Sequence, residues 1–133
     1  MLAKYAKSYK TAAVSTASPG QLVLMLFDGA LRFMGVARHG FTIESLAQRH
    51  EQVHNGLMRT QAILRELQCS LDLKNGGDFA SNLYALYGFM LDQLQQANLK
   101  KISEPIATVE RLLGEVRDAW AQMLEQSTAL NAA

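Results

Sequence analysis

The sequence predicts an all-α protein that folds as an antiparallel, up-down bundle of four helices. Apolar residues recur at steps of three and four in four separate stretches, which is the period of a helix face. No stretch alternates apolar and polar residues for long enough to predict a strand. Both prolines, Pro19 and Pro105, stand where helices are predicted to begin. Short polar breaks separate the four stretches, so consecutive helices should lie side by side in opposite directions.

The first predicted helix covers residues 19–39 and is apolar around most of its circumference. Ser18 is suited to cap it and Pro19 to occupy its first turn, and Gly40 is expected to end it in a left-handed conformation. Its polar stripe is only about 60° wide, which leaves about 260° for apolar residues and glycine. The stripe consists of Gln21, Asp28, Arg32, Gly35 and His39. Such a helix is either central in its domain or keeps a second face for a partner.

The second predicted helix begins near Thr42 and ends before the polar break at residues 75–78. Gly56 is expected to weaken its middle by about 1 kcal/mol relative to alanine. We call the line of apolar residues that should face the core the seam of a helix. The seam of the second helix is Ile43, Leu46, Val53, Leu57, Leu64, Leu67 and Leu71.

The third and fourth helices are predicted from their capping residues and seams. Asp78 is expected to cap the third helix and Ser103 the fourth, with Pro105 in the first turn of the fourth. The seam of the third helix is Phe79, Leu83, Leu86, Met90, Leu94 and Ala97, and that of the fourth is Ile106, Val109, Leu113, Val116, Trp120 and Met123.

Composition restricts the classes of function. The 133 residues are 49% hydrophobic and 19% charged, which is typical of one globular domain. We divide the chain into an amphipathic N-terminal tail, residues 1–14, and a helical domain, residues 15–133. A net charge of +1 argues against nucleic acid as a partner. The single Cys69 fits a reducing compartment, and neither a membrane span nor a secretory signal is evident. We therefore expect a cytoplasmic protein without membrane insertion.

No group of residues predicts catalysis or a cofactor. Glu51 and His54 match a Glu-x-x-His motif of di-iron bundles, but the second such motif that these proteins need is missing. His50 and His54 are spaced to share a metal ion, yet the pattern supplies no third ligand. Near Cys69, the positive charge of Arg65 is opposed by Asp72. We expect neither an enzyme nor a bound metal or cofactor.

The first helix carries more apolar surface than one core contact uses. One of its faces holds Leu24, Phe27, Leu31 and Met34, and the roughly opposite face holds Leu22, Gly29, Phe33 and Val36. If the second face packs into the bundle, the first stays partly open, and Tyr84 and Tyr87 lie similarly beside the seam of the third helix. Two interpretations stay open here. Either the bundle buries both faces, or one face forms a groove for an amphipathic segment of a partner. In the second case the tail, through Leu2, Tyr5 and Tyr9, is expected to cover the empty groove as a lid.

Several short motifs run through the whole chain. They are TASPGQL at 16–22, MLFDGA at 25–30, ILREL at 63–67, SLD at 70–72, GGD at 76–78, NL at 82–83, LY at 86–87, LL at 112–113 and RDAW at 117–120. Together with the tyrosine-bearing tail, they resemble the FliS family of flagellar secretion chaperones. Two positions depart from the family pattern, since Phe27 stands where a tyrosine is usual and Gly88 lies inside a helix.

The resemblance implies a bacterial cytoplasmic chaperone with an antiparallel four-helix fold. It further implies binding of the disordered C-terminal segment of flagellin, protection against premature polymerisation, and delivery to the flagellar type III export apparatus. The residues expected to bind this client are Leu24, Phe27, Leu31, Met34, Tyr84 and Tyr87. The alternative is a general helical interaction or homodimerisation domain without chaperone activity, and a di-iron or haem enzyme is a more distant third.

Overall fold

A computed structural model describes residues 18–132, with side chains as far as residue 128. The predicted tail, including Leu2, Tyr5 and Tyr9, lies outside these residues. The four helices are α1 (Pro19–Gly40), α2 (Leu46–Cys69), α3 (Gly77–Lys100) and α4 (Glu104–Ala132). Each helix packs against two neighbours, and α4 closes the ring by packing on α1. Over the described part of the chain there is no strand, so the all-α, four-helix prediction is confirmed.

The start of α1 follows the prediction, whereas its end does not. The Ser18 hydroxyl accepts a hydrogen bond from the Gln21 backbone N–H at 3.1 Å, and Pro19 occupies the first turn. Gly40 is not a left-handed cap, because it stays within the helix and Phe41 ends it in a right-handed conformation. Gly40 is required instead for close packing, since a Cβ atom there would lie 2.9 Å from Val53 Cγ2.

The second helix begins at Leu46, capped by Ser45, and not near Thr42 as expected. Residues 41–44 form a connection, and two of its carbonyl groups accept hydrogen bonds from the side chain of Arg49 in the first turn of α2. Arg49 donates from Nε to the Ile43 carbonyl at 2.7 Å and from Nη2 to the Glu44 carbonyl at 3.2 Å. These bonds replace the helical hydrogen bonds that would otherwise start α2 earlier.

Gly56 marks the closest approach of α1 and α2. A Cβ atom at this position would lie 2.9 Å from each of three atoms, namely Ala37 Cβ, Ala37 N and the Phe33 carbonyl oxygen. Gly56 therefore weakens α2 as predicted, and it also permits a close contact with α1 that a larger residue would prevent.

The third helix is not capped by Asp78. Gly76 is its N-cap without a side-chain hydrogen bond, and Gly77 has a positive φ of 60°. The preceding turn is held by Asp72, whose carboxylate accepts hydrogen bonds from the Asn75 backbone N–H at 3.1 Å and from Asn75 Nδ2 at 3.0 Å. These bonds lower the pKa of Asp72 below its ordinary value. Because Gly77 brings the chain into the helix, Asp78 falls within the first turn and not at the cap.

The fourth helix is antiparallel to α1. Arg38 near the end of α1 forms a bidentate ion pair with Glu110 near the start of α4, at 2.9 and 3.0 Å. Asp28 pairs with Arg117 further along α4 at 2.8 Å. Such solvent-exposed pairs orient side chains but contribute only about 0–1 kcal/mol each.

By length and composition alone, α1 is long and apolar enough to span a membrane. The sequence has no unbroken apolar run of that length, because Asp28 and Arg32 interrupt it. In the structure α1 packs against both α2 and α4, and its buried residues form part of the bundle core. The buried core helix of a globular bundle passes the same test of length and hydropathy.

Candidate functional site

An apolar cavity of about 580 Å³ opens at the end of the bundle where α1 begins, α2 ends and α3 begins. We call it the end pocket. Its apolar lining comes from all four helices and the segment after α2, and includes Val23, Phe27, Leu67, Leu71, Phe79, Ala80, Leu83, Tyr87, Val116, Ala119, Trp120 and Met123.

The end pocket has a buried floor and an exposed rim. Phe27 and Tyr87 are only 1% and 2% exposed and form the floor, whereas Phe79 is 72% exposed at the rim. Met123 on the opposite wall is also exposed. A large exposed aromatic side chain beside an apolar cavity is typical of a site that binds a ligand or a partner.

Polar groups contribute little to recognition in the end pocket. Ser70 donates its hydroxyl to the Leu67 carbonyl at 2.8 Å, and the Asp72 carboxylate is already bonded to Asn75. Burial raises the pKa of the Tyr87 phenol, which therefore stays uncharged at neutral pH. The lining thus favours apolar side chains over charged ones.

Trp120 fixes one wall of the end pocket. Its indole N–H donates to the Gly20 carbonyl at 2.9 Å, and its ring meets Phe27 edge-on, with centroids 6.2 Å apart and planes at 75°. This geometry is favourable for two aromatic rings, and it joins the first turn of α1 to the middle of α4. The position at which the chain enters α1 is therefore tied to the pocket.

The structure brings only two of the six predicted binding residues to the end pocket, Phe27 and Tyr87. Leu24 lies in a separate shallow recess beside Arg117 and Leu124 on α4. Leu31 packs partly buried against the core, and Tyr84 is exposed. Met34 is fully buried in the middle of the bundle. Whether these residues bind a partner stays a prediction.

On the face of α1 that the second interpretation leaves partly open, Phe27 and Met34 are buried. The reason is that α2 and α4 flank α1 and together cover most of its apolar arc. On the face expected to be buried, Val36 is in fact exposed. The apolar surface that the core does not bury is therefore exposed at the end of the bundle and along a groove beside Val36. It is not exposed along the predicted face of α1.

Sequence reasoning assigned Phe79, Leu83, Trp120 and Met123 to the core seams and missed their part in the pocket. All four do follow the seam periodicity. The available signal was the position of Phe79 directly after the break at residues 75–78. A core-facing residue in the first turn of a helix lies at the end of the bundle, where fewer side chains of the other helices cover it.

The fold and the end pocket define a class of protein, an all-α four-helix bundle with an apolar pocket at one end. Comparison with known proteins gives the family. The family model described as flagellar protein FliS matches residues 1–127. The chain therefore belongs to the FliS family, as its motifs suggested, and this family consists of chaperones of flagellar export and not of enzymes.

Individual relatives agree with this assignment. The flagellar secretion chaperone FliS of Salmonella typhimurium is 36% identical over 119 residues, which cover 90% of this chain and 86% of that protein. The corresponding protein of Escherichia coli is 35% identical over 123 residues, with coverage of 90% and 86%. That of Bacillus subtilis is 31% identical over 118 residues, with coverage of 89% and 84%. These relatives support a role in flagellar export with a flagellar protein as client.

Proposed function

We propose that this protein is a cytoplasmic export chaperone that binds the disordered C-terminal segment of flagellin. In this function it keeps flagellin from polymerising prematurely and delivers it to the flagellar type III export apparatus. The observation that carries the proposal is the end pocket, a cavity of about 580 Å³ with Phe79 at its rim, in a chain of the FliS family.

The chemistry of the end pocket suits a disordered client. A segment that folds on binding loses several kcal/mol to ordering and typically buries on the order of 1,000–3,000 Å². Large apolar side chains of the client would fill the pocket, and the flexible Met123 would adapt to their shapes. The partly exposed Leu24, Leu31 and Tyr84 extend the proposed contact beyond the pocket, whereas Met34 supports it from within the core.

Calorimetry with a synthetic peptide of the flagellin C-terminal segment tests this proposal. We expect Phe79→Ala to weaken binding about tenfold or more, because truncation of an aromatic side chain that a bound client covers costs roughly 2 kcal/mol. Phe89→Ala is the matched control, since Phe89 lies on the same helix, is 45% exposed and does not line the pocket. Equal affinity of both variants and the unchanged protein would place the client elsewhere.

We further propose that the tail covers the end pocket when no client is bound, through Leu2, Tyr5 and Tyr9. The support is that α1 begins at the pocket wall, where Gly20 accepts the Trp120 hydrogen bond. A covering segment competes with the client and so lowers its apparent affinity. Deletion of residues 1–14 should therefore tighten binding of the flagellin peptide in the same calorimetric experiment. A large loss of affinity would show that the tail is itself a contact.

The exposed rim of the end pocket also suits the alternative, a homodimer that buries Phe79. Sedimentation velocity separates the two functions. A chaperone should take up the flagellin peptide at the expense of any self-association, whereas a dimerisation domain should remain dimeric when the peptide is added.

A further inference from the structure

A second groove lies between α1 and α2, toward the other end of the bundle. Its volume is about 460 Å³, and it shares no lining residue with the end pocket. We call it the side groove. Its apolar floor consists of Phe33 and Val36 from α1, Gly56 from α2 and Ile43 from the connection between them. Because Val36 is exposed and Gly56 carries no side chain, the floor is accessible from solvent.

Two guanidinium groups lie against the ring of Phe33. The central carbon of Arg32 on α1 is 5.3 Å from the ring centroid, and that of Arg59 on α2 is 5.4 Å from it. Contact with an aromatic ring restricts a guanidinium group and leaves its N–H groups free to donate to a carboxylate. Arg59 lines the side groove, and Arg32 lies at the same Phe33 ring without lining the groove itself. Phe33 thus holds two positive charges at the edge of the side groove.

These two charges have no acidic partner within residues 18–128. Arg38 on α1 pairs with Glu110, and Arg117 on the facing α4 pairs with Asp28. Among the residues whose side chains are described, Arg32 and Arg59 form no such pair and are exposed. Arg49 and Arg65 on α2 also lack an ion pair there, but neither lines the side groove. A carboxylate supplied by another molecule would complement them and would bind bidentately.

The remaining lining of the side groove is polar and includes one acidic residue. Gln52 donates to the Val36 carbonyl at 3.0 Å, and Gln48, Glu51 and Asn55 also line the groove. Arg59 is the basic residue of this lining, and it lies at the Phe33 ring beside Arg32. Carboxylates that flank an apolar side chain over Val36 and Ile43 would therefore be bound most favourably on the side of Phe33.

The protein's own tail does not have this chemistry. Residues 1–14 contain Lys4, Lys7 and Lys10 and no acidic residue, so the two arginines would repel them. The occupant must come from another molecule that carries the opposite charge.

We infer that the side groove is a docking site for a segment of a partner protein in which acidic residues flank an apolar anchor. It is used independently of the end pocket, so a client and this partner bind at the same time. The inference stands on the side groove alone and does not depend on the proposed function.

Fluorescence anisotropy with the full chain tests the inference. The probes are a labelled amphipathic helical peptide of leucine and glutamate, and the same peptide with lysine in place of every glutamate. We expect the glutamate peptide to bind at least about tenfold more tightly than the lysine peptide. The double variant R32E/R59E should lose at least about tenfold in affinity for the glutamate peptide, and the neutral variant R32Q/R59Q should lose less.

Arg65→Glu is the matched control, because Arg65 is an exposed arginine on α2 that does not line the side groove. It should leave the affinity nearly unchanged, and circular dichroism should show that all variants remain folded. The flagellin peptide should not displace the glutamate peptide.

Four results would overturn the inference. They are failure of the glutamate peptide to bind, equal binding of both peptides, the same loss in R65E as in R32E/R59E, and displacement by the flagellin peptide. A concentration-dependent dimer that Val36→Glu disrupts would assign the groove to a second copy of the chain and would also overturn it. Failure of the glutamate peptide to bind, equal binding of both peptides, or an equal loss in R65E would leave the expected effect of Phe79→Ala on flagellin binding unchanged. Displacement would instead show that flagellin also reaches the side groove, so failure of this inference and failure of the proposed function are distinguishable.

Discussion

The core side of the α1–α2 crossing and the end pocket are both lined by apolar residues, yet the first is closed and the second is open. At the crossing, Gly56 and Ala37 let the two backbones approach closely, and Leu57 beside them is fully buried. At the end pocket the helices terminate, and the turn that contains Asp72 and Gly76 leaves a gap that large side chains line without filling. Small residues in the middle of helices close an interface, whereas large residues at helix ends leave space for a partner.

The largest expected difference between the two regions is in the cost of removing a leucine. Leu57→Ala should lower the free energy of unfolding by about 2–5 kcal/mol, because it leaves a cavity in a closed core. Leu71→Ala should cost only about 1 kcal/mol, because Leu71 is partly exposed and its neighbourhood is already open. Urea denaturation of both variants measures the difference. Equal costs would show that the end pocket is as tightly packed as the crossing.

The next largest effect is the difference in stability between replacing a glycine at the crossing and replacing one elsewhere in α1. Gly56→Ala should destabilise the protein by about 1–3 kcal/mol, because the added Cβ atom would meet Ala37 N and the Phe33 carbonyl at 2.9 Å. Gly35→Ala is the control, since nothing lies within 4 Å of a Cβ atom there, and it should stabilise α1 by about 0.5–1 kcal/mol. Effects of the same sign, measured by urea denaturation, would contradict the close crossing.

The smallest effect concerns the turn at the rim of the end pocket. Hydrogen bonds from Asn75 lower the pKa of Asp72 in the folded protein. A carboxyl group of this kind stabilises the fold above its ordinary pKa of about 4, and this contribution is lost as the pH falls through the lower folded value. Asp72→Asn should therefore reduce stability at neutral pH and weaken its dependence on pH between about pH 5 and pH 2.

Urea midpoints at a series of pH values measure the effect of Asp72→Asn. Asn75→Ala keeps the Asp72 carboxyl group and removes its side-chain donor, so it should weaken the pH dependence in the same direction and less strongly. An unchanged pH dependence in Asn75→Ala would show that the Asn75 side chain is not its source.

Most of the fold could be predicted because the period of a helix is a local property, whereas the caps predicted at Gly40 and Asp78 were wrong. Ser18 and Pro19 start α1 as expected, and the seams of all four helices supply the core. The start of α2 could not be predicted, since it depends on Arg49 reaching back to the Ile43 and Glu44 carbonyls. The role of Gly56 depends on where two helices cross, which the sequence of neither helix contains.

The candidate site was only partly predictable for a related reason. Phe27 and Tyr87 were expected to bind a client and do form the floor of the end pocket, but Phe79 and Met123 were assigned to the core. Periodicity identifies the residues that face inward. It does not show which of them lie beyond the last complete layer of the bundle, because this depends on the relative lengths and offsets of all four helices.

The hydrogen bond from Trp120 to Gly20 has an optical consequence. Trp120 is the only tryptophan of the chain, and its indole lies on the wall of the end pocket with its N–H held by the first turn of α1. The emission of this single fluorophore depends on the polarity around it and on that hydrogen bond. Filling of the end pocket by an apolar segment should shift the emission to shorter wavelength, so that arrival and release of a client become visible in the unlabelled protein in real time.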